Sequence, residues 1–190
     1  MTTRFVLLGL LIAAAPIAAQ QPQPAPSPQR WILGANVGGS SSGADFTSST
    51  DWKTGWSAGA NLAYRVQPKF AVRADANWAK NDLATTGTSS TTTTYDKTSL
   101  MGNAVWDFKG REAKLSPYVL GGLGAVKVKD KSLSQSFSQF GGDVGLGADY
   151  NLGRVGLRAE GRDLIYKFDH FGYNKTQNDF LWQGGLTIGL

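Results

Sequence analysis

The 190-residue sequence has no cysteine, one histidine and only two methionines. Without cysteine there is no disulfide framework and no thiolate metal site, and the absence suits an exported protein that does not depend on oxidative folding. One histidine also argues against a transition-metal centre, so no metal and no cofactor is expected. Charge is sparse, at 17% of residues. The formal net charge is +5, yet Lys and Arg are scattered among acids and form no long basic run. Nucleic acid is therefore not an expected partner. Beyond the N-terminus no apolar run is long enough for a spanning helix. That excludes helical spans but leaves strands open, because barrel strands hide their apolar residues at alternate positions.

Three regions divide the chain. Residues 1–19 read as a secretory signal peptide: Arg4 supplies the charge, Phe5–Ala15 the apolar segment, and Ile17-Ala18-Ala19 a small-residue exit, with cleavage expected near Ala19–Gln20. The apolar segment is too short for a spanning anchor. Residues 20–30 form a disordered leader, in which the four prolines within Gln20–Gln29 deny the backbone ladder hydrogen bonds. Residues 31–190, a length suited to one domain, carry the folded part.

What fills that domain is alternation. From Phe180 to the end, Phe180, Trp182, Gly184, Leu186, Ile188 and Leu190 share one face, and small or polar residues lie between them. The period of two predicts a strand with one apolar face, long enough to cross a bilayer at a tilt. A terminal apolar strand left unpaired would invite aggregation, whereas in a closed barrel it pairs with the first strand. The same pattern predicts strands at about Trp31–Ser40, Gly55–Val66, Phe70–Trp78, Thr98–Phe108, Phe137–Leu152 and Arg154–Phe168. A further strand, about Leu115–Val128, is too rich in glycine and apolar residues for its faces to be assigned. The phase breaks near Asp163–Leu164, which predicts a bulge or emergence from the membrane.

The count is eight, and the connections alternate in length. Ser41–Thr54, Lys80–Lys97, Lys129–Ser136 and Asp169–Asn178 read as long polar loops. Gln67-Pro68-Lys69, Lys109–Lys114 and Asn151-Leu152-Gly153 read as short turns. Sorting long loops to one end and short turns to the other is a habit of outer-membrane barrels. Traced up and down, the aromatics also sort. Trp31, Tyr64, Phe70, Trp106, Phe108, Tyr118 and Tyr150 fall near the short-turn end, and Trp56, Trp78, Phe140, Tyr166, Phe168, Phe180 and Trp182 near the other. Two aromatic belts around an aliphatic band predict a transmembrane barrel.

The sequence resembles the small outer-membrane β-barrel superfamily, the eight-stranded group that includes the OmpA transmembrane domain, OmpX and opacity-type porin-like surface proteins. The resemblance spans Trp31–Leu190. It is carried by Pro117-Tyr118-Val119-Leu120-Gly121-Gly122-Leu123-Gly124, Gly147-Ala148-Asp149-Tyr150, Leu157-Arg158-Ala159-Glu160-Gly161-Arg162 and the closing strand. Gln183–Leu190 is similar to the family's C-terminal assembly signal, although it ends in Leu where Phe or Trp is usual. The resemblance implies an all-β, eight-stranded antiparallel up-and-down transmembrane barrel in the outer membrane. It further implies assembly by the barrel-assembly machinery through the C-terminal strand, and contact with outer-membrane lipids and lipopolysaccharide.

Candidate chemistry is thin. The inward face carries Arg65, Arg73, Asp75, Asp143, Asp149, Arg158, Glu160 and Arg162. An eight-stranded barrel has room only for its own side chains, so these charges are expected to pair as a structural network. A narrow gated ion path through them is the functional alternative. His170 is read in the last long loop; an enzyme resembling the lipid A deacylases would need a serine where Gly172 stands. No catalytic, cofactor-binding or metal-binding residue is therefore assigned. Thr85–Tyr95 reads as a flexible surface run, and Lys127, Lys129 and Lys131 as either solvated strand ends or contacts for lipid phosphates. The expected function is non-enzymatic, maintaining the envelope or presenting loops to surface partners, by a monomer. A soluble lipocalin-like binder would need the opposite distribution, with an apolar interior and a polar exterior.

Overall fold

The computed structural model describes residues 29–43, 50–52, 54–85, 92–130, 135–170 and 173–190. Among them lie nine strands and no helix: β1 Trp31–Ser42, β2 Thr50–Trp52, β3 Gly55–Gln67, β4 Phe70–Thr85, β5 Thr92–Asp107, β6 Leu115–Asp130, β7 Gln135–Leu152, β8 Val155–His170 and β9 Tyr173–Gly189. All pairings are antiparallel: β1 pairs with β3, the strands from β3 to β9 pair in chain order, and β1 also pairs with β9 from Ile32↔Gly189 to Ser42↔Asp179. The ring is thus closed. β2 pairs with the far end of β4, Thr50↔Thr85 to Trp52↔Leu83, and continues the same stave as β3. The staves number eight.

Alternation decides the two surfaces. Along β1, Trp31, Leu33, Ala35 and Val37 are exposed while Ile32, Gly34 and Asn36 are buried. Along β4, Val72, Ala74, Ala76 and Trp78 face out while Ala71, Arg73, Asp75, Asn77 and Ala79 are buried. The buried set is largely polar and the exposed set largely apolar, the reverse of a soluble ligand-binding barrel. Cross-strand aromatic pairs mark both rims of the wall. Trp31–Tyr64 (4.9 Å between ring centroids) and Phe70–Trp106 (6.5 Å) stand near the short turns, with Trp56–Trp78 (5.8 Å) at the other end. Neighbouring rings of this kind stabilise the strand pair that carries them. Glycines serve the short turns: Gly110 and Gly153 adopt φ of 75° and 89°, where a side chain would be strained.

Several sequence expectations are corrected. Strands run well beyond the long-loop boundaries: β4 and β5 extend through most of Lys80–Lys97, and β8 and β9 through most of Asp169–Asn178. The reason is that a polar outer face does not end a strand. It ends only the membrane-facing part, and the Thr-rich run at Thr92–Thr94 favours extended backbone. His170 consequently closes β8, paired with Tyr173, and does not sit in a loop. Gly172, Lys131 and residues 86–91 of the Thr/Ser run lie outside the described residues. No bulge interrupts β8, since the register Asp163↔Phe180, Leu164↔Asp179 is continuous with its neighbours. The apparent phase break arises because the lumen itself turns apolar there: Leu164 and Tyr166 both point inward and are buried. Tyr166 therefore leaves the outer belt, as does Tyr118 on β6. The faces of β6, open in the sequence, are settled by Tyr118, Leu120, Val126 and Val128 inside and Val119, Leu123, Ala125, Lys127 and Lys129 outside.

Ala76 lies at mid-wall, paired with Ala60 and Leu100 and exposed. Ala76→Arg should destabilise the barrel by about 2–4 kcal/mol in equilibrium unfolding from lipid vesicles. A change within error would contradict the placement of this face in lipid.

Candidate functional site: the charged barrel interior

The lumen is built in storeys. At its centre, Arg162 from β8 reaches Asp75 on β4 (2.9 Å), Asp143 on β7 (3.1 Å) and its own strand neighbour Glu160. Arg73 pairs with Asp75 (2.9 Å) and, across the ring, with Glu160 (2.8 Å). Neutral donors complete the cluster. Asn103 Nδ2 donates to Asp75 (2.9 Å) and Asp143 (3.4 Å), and the Tyr118 hydroxyl donates to Glu160 (2.6 Å). Two arginines thus meet three carboxylates, with an amide and a phenol supplying further donors. All six charged or amide side chains are nearly fully buried. Charges so far from water are tolerable only when paired and hydrogen-bonded.

Towards the short-turn end, Arg158 holds Asp149 through two bonds, Nε to Oδ1 (2.7 Å) and Nη2 to Oδ2 (2.9 Å), the geometry that suits a planar guanidinium. The Tyr118 ring lies between Arg73 and Arg158, with centroid distances of 5.9 and 5.4 Å. Below it, Arg65 pairs with Asp107 (2.7 Å). Arg111, in the β5–β6 turn, covers this mouth. Burial lowers its guanidinium from the ordinary value, while the nearby Asp149 and Asp107 act in the opposite direction.

Above the centre the lumen changes character. Met101, Val126, Val128, Leu164, Tyr166 and Leu181 form an apolar cluster. Beside it run amides: Gln183 donates to Ser57 (3.1 Å) and Asn77 (3.3 Å), accepts from Asn36, and Asn61 donates to Asn36 (3.2 Å). A second ion pair caps this storey. Lys97 Nζ lies 2.7 Å from each oxygen of Asp179, which also accepts from Tyr166 (3.0 Å) and Ser42 (2.5 Å). Two cavities flank the central cluster, one lined by Lys97 and Asp179, the other by Arg65, Arg73 and Arg158, each of about 10 Å³. That is room for about one water apiece.

Every inward residue named from the sequence, Arg65, Arg73, Asp75, Asp143, Asp149, Arg158, Glu160 and Arg162, joins this interior. Three contributors are not apparent from the sequence. Tyr118 is read with the outer belt, and Lys97 and Asp179 at the edges of segments. Their common signal is phase: each lies in step with inward polar residues of its own strand, Tyr118 with Ser116, Lys97 with Ser99 and Asn103, and Asp179 with Gln177 and Gln183. Among the described residues no group of three His, Cys, Asp or Glu side chains is arranged to hold a metal ion.

With the ring closed, the apolar wall outside and the charges inside, the comparisons with known proteins agree. Residues 5–190 match the family described as outer membrane protein beta-barrel domain. The chain belongs to that family. Among solved structures, this outer-membrane barrel is similar to Neisserial surface protein A (NspA), at a TM-score of 0.62 and 15% identity, covering 84% of this chain and 97% of that one. It is also similar to OprG from Pseudomonas aeruginosa, at 0.58 and 16%, with 84% and 95% covered. Ail of Yersinia pestis, solved with the heparin analogue sucrose octasulfate, matches at 0.50 and 16%, with 84% and 99% covered. At these identities the likeness concerns the barrel fold alone. No curated protein matches the sequence.

Lys97→Met should cost the barrel about 3–5 kcal/mol, because Asp179 is left as a buried charge. The double variant Lys97→Met/Asp179→Leu should recover most of that loss, since Tyr166 keeps Gln177 as an acceptor at 3.3 Å. Urea unfolding from vesicles reads both, and a double variant as unstable as the single one would refute the pairing.

Proposed function

We propose that this outer-membrane barrel has a structural or surface-interaction role, supporting the envelope and presenting its long-loop end to partners, and that it is not an open diffusion pore. The observation that carries this reading is the filled lumen. Four arginines, from Arg65 to Arg162, and five carboxylates are held in contact across the ring, and the two cavities beside the central cluster hold about one water each. Eight staves leave no width for a solute beyond the side chains themselves. The role proposed is non-enzymatic.

The remaining parts of the reading follow from the sequence. The segment Met1–Ala19 directs export and is removed, and Gln183–Leu190 is read by the barrel-assembly machinery. The barrel works as a monomer in the outer membrane. Lys127 and Lys129, exposed on the outer face of β6, contact lipopolysaccharide phosphates at the long-loop end. A narrow gated ion channel is the second reading. It is favoured by the position of the two small cavities, one on either side of the central ion cluster.

Single-channel recording in a planar bilayer separates the two. The purified, refolded protein should show no discrete conductance steps at neutral pH. Reproducible steps that scale with the amount of inserted protein would replace the structural reading with the channel.

A further inference from the structure

The net charge of this chain is gathered at one end of the barrel. Arg30, Lys69, Lys109, Lys114 and Arg154 all stand exposed at the short-turn rim, where Glu112 is the one exposed acid among the described residues, while Arg111 faces Asp149 and Asp107 at the mouth. Elsewhere among the described residues charge nearly cancels. The lumen pairs its arginines with carboxylates, and outward at the opposite end Lys80, Lys127, Lys129 and Lys167 stand among Asp82, Asp96 and Asp163. A formal charge of +5 that reads as diffuse along the sequence is therefore a localised field once the fold sorts it.

The rim cations are held against the outer wall. Arg30 Nη1 donates to the Tyr64 hydroxyl (3.4 Å), and Lys114 Nζ sits 5.7 Å from the centroid of the Tyr150 ring. Both tyrosines belong to the outer aromatic belt, which marks the depth of lipid headgroups. Lys69, Lys109 and Arg154 are exposed on the three short turns or their flanks. In barrels of this kind the short turns face the periplasm. We propose that the short-turn rim binds the phosphates of anionic glycerophospholipids in the periplasmic leaflet. The proposal rests on the outer-membrane reading above. A cell-wall polymer is the less fitting partner, because Arg30 and Lys114 lie beside belt tyrosines at headgroup depth and not on a surface projecting away from the bilayer.

The test is native mass spectrometry of the folded barrel released from micelles holding equal phosphatidylglycerol and phosphatidylcholine. The wild-type barrel should retain phosphatidylglycerol in excess. Lys69→Gln/Lys109→Gln/Lys114→Gln/Arg154→Gln should reduce that retention, by roughly fivefold per cation removed at low salt. Lys80→Gln/Lys167→Gln, at the other end on the strand faces that also carry Asp82 and Asp163, should leave it unchanged. Equal retention of the two lipids, an unaffected rim variant, or equal losses in both variants would overturn the proposal. So would a rim variant that loses binding of soluble cell-wall glycopeptides while keeping phosphatidylglycerol. Folding is checked for each variant by the shift in gel mobility on boiling. A wild-type chain that never enters vesicles would overturn the membrane reading itself, a result distinct from one that enters and ignores lipid charge.

Discussion

Charges enclosed in a ring of eight staves must satisfy one another, and the rest of the structure depends on that. The lumen is too narrow for bulk water, so Arg73 and Arg162 depend on protein carboxylates for their counter-charge. They find them on other staves: Asp75 on β4, Asp143 on β7 and Glu160 on β8. Such clusters do not add stability over a well-packed apolar filling, but breaking one costs several kcal/mol. Their consequence is specificity of closure. A one-residue slip of register between any two staves would turn the whole polar set to the lipid and separate these pairs. Lipid outside and ion pairs inside therefore favour the same register from opposite faces.

The same constraint accounts for the storeys. Where β8 gives up its arginines, at Leu164 and Tyr166, β6 supplies Val126 and Val128 and β9 supplies Leu181, so the lumen is filled by apolar packing. Where a cation returns, at Lys97, the Asp179 carboxylate and the Ser42 hydroxyl accept from it, and Tyr166 and Ser42 donate to that carboxylate. Polar and apolar packing thus divide the lumen between them, and the two small cavities lie in different storeys.

Much of this was legible in the sequence because the side-chain period of a strand is two. A residue such as Arg158 between Leu157 and Ala159 can belong only to the inner face if its neighbours meet lipid. The legibility fails where that premise fails. On β6 both faces are apolar or glycine, so neither period nor polarity assigns them. Tyr118 and Tyr166 are aromatic like the belts, yet their hydroxyls serve buried carboxylates. The strand ends were hidden because polar residues on both faces look like a loop, whereas β4 and β5 stay paired out to Ala84↔Thr92. Lys97 and Asp179 are far apart in the chain, and only the ring brings them together. The concentration of charge at the short-turn rim was hidden for a similar reason, since a sum over the sequence carries no topology.

The central claim is that the buried ions act as one unit across the ring. Its most direct test is a double-mutant cycle between Arg73 on β4 and Glu160 on β8, read by unfolding from vesicles. With Arg73→Met and Glu160→Gln, a coupling of about 0.5–3 kcal/mol is expected, the range for residues in one network. Strictly additive losses would show that the two do not share a network, and would contradict the account.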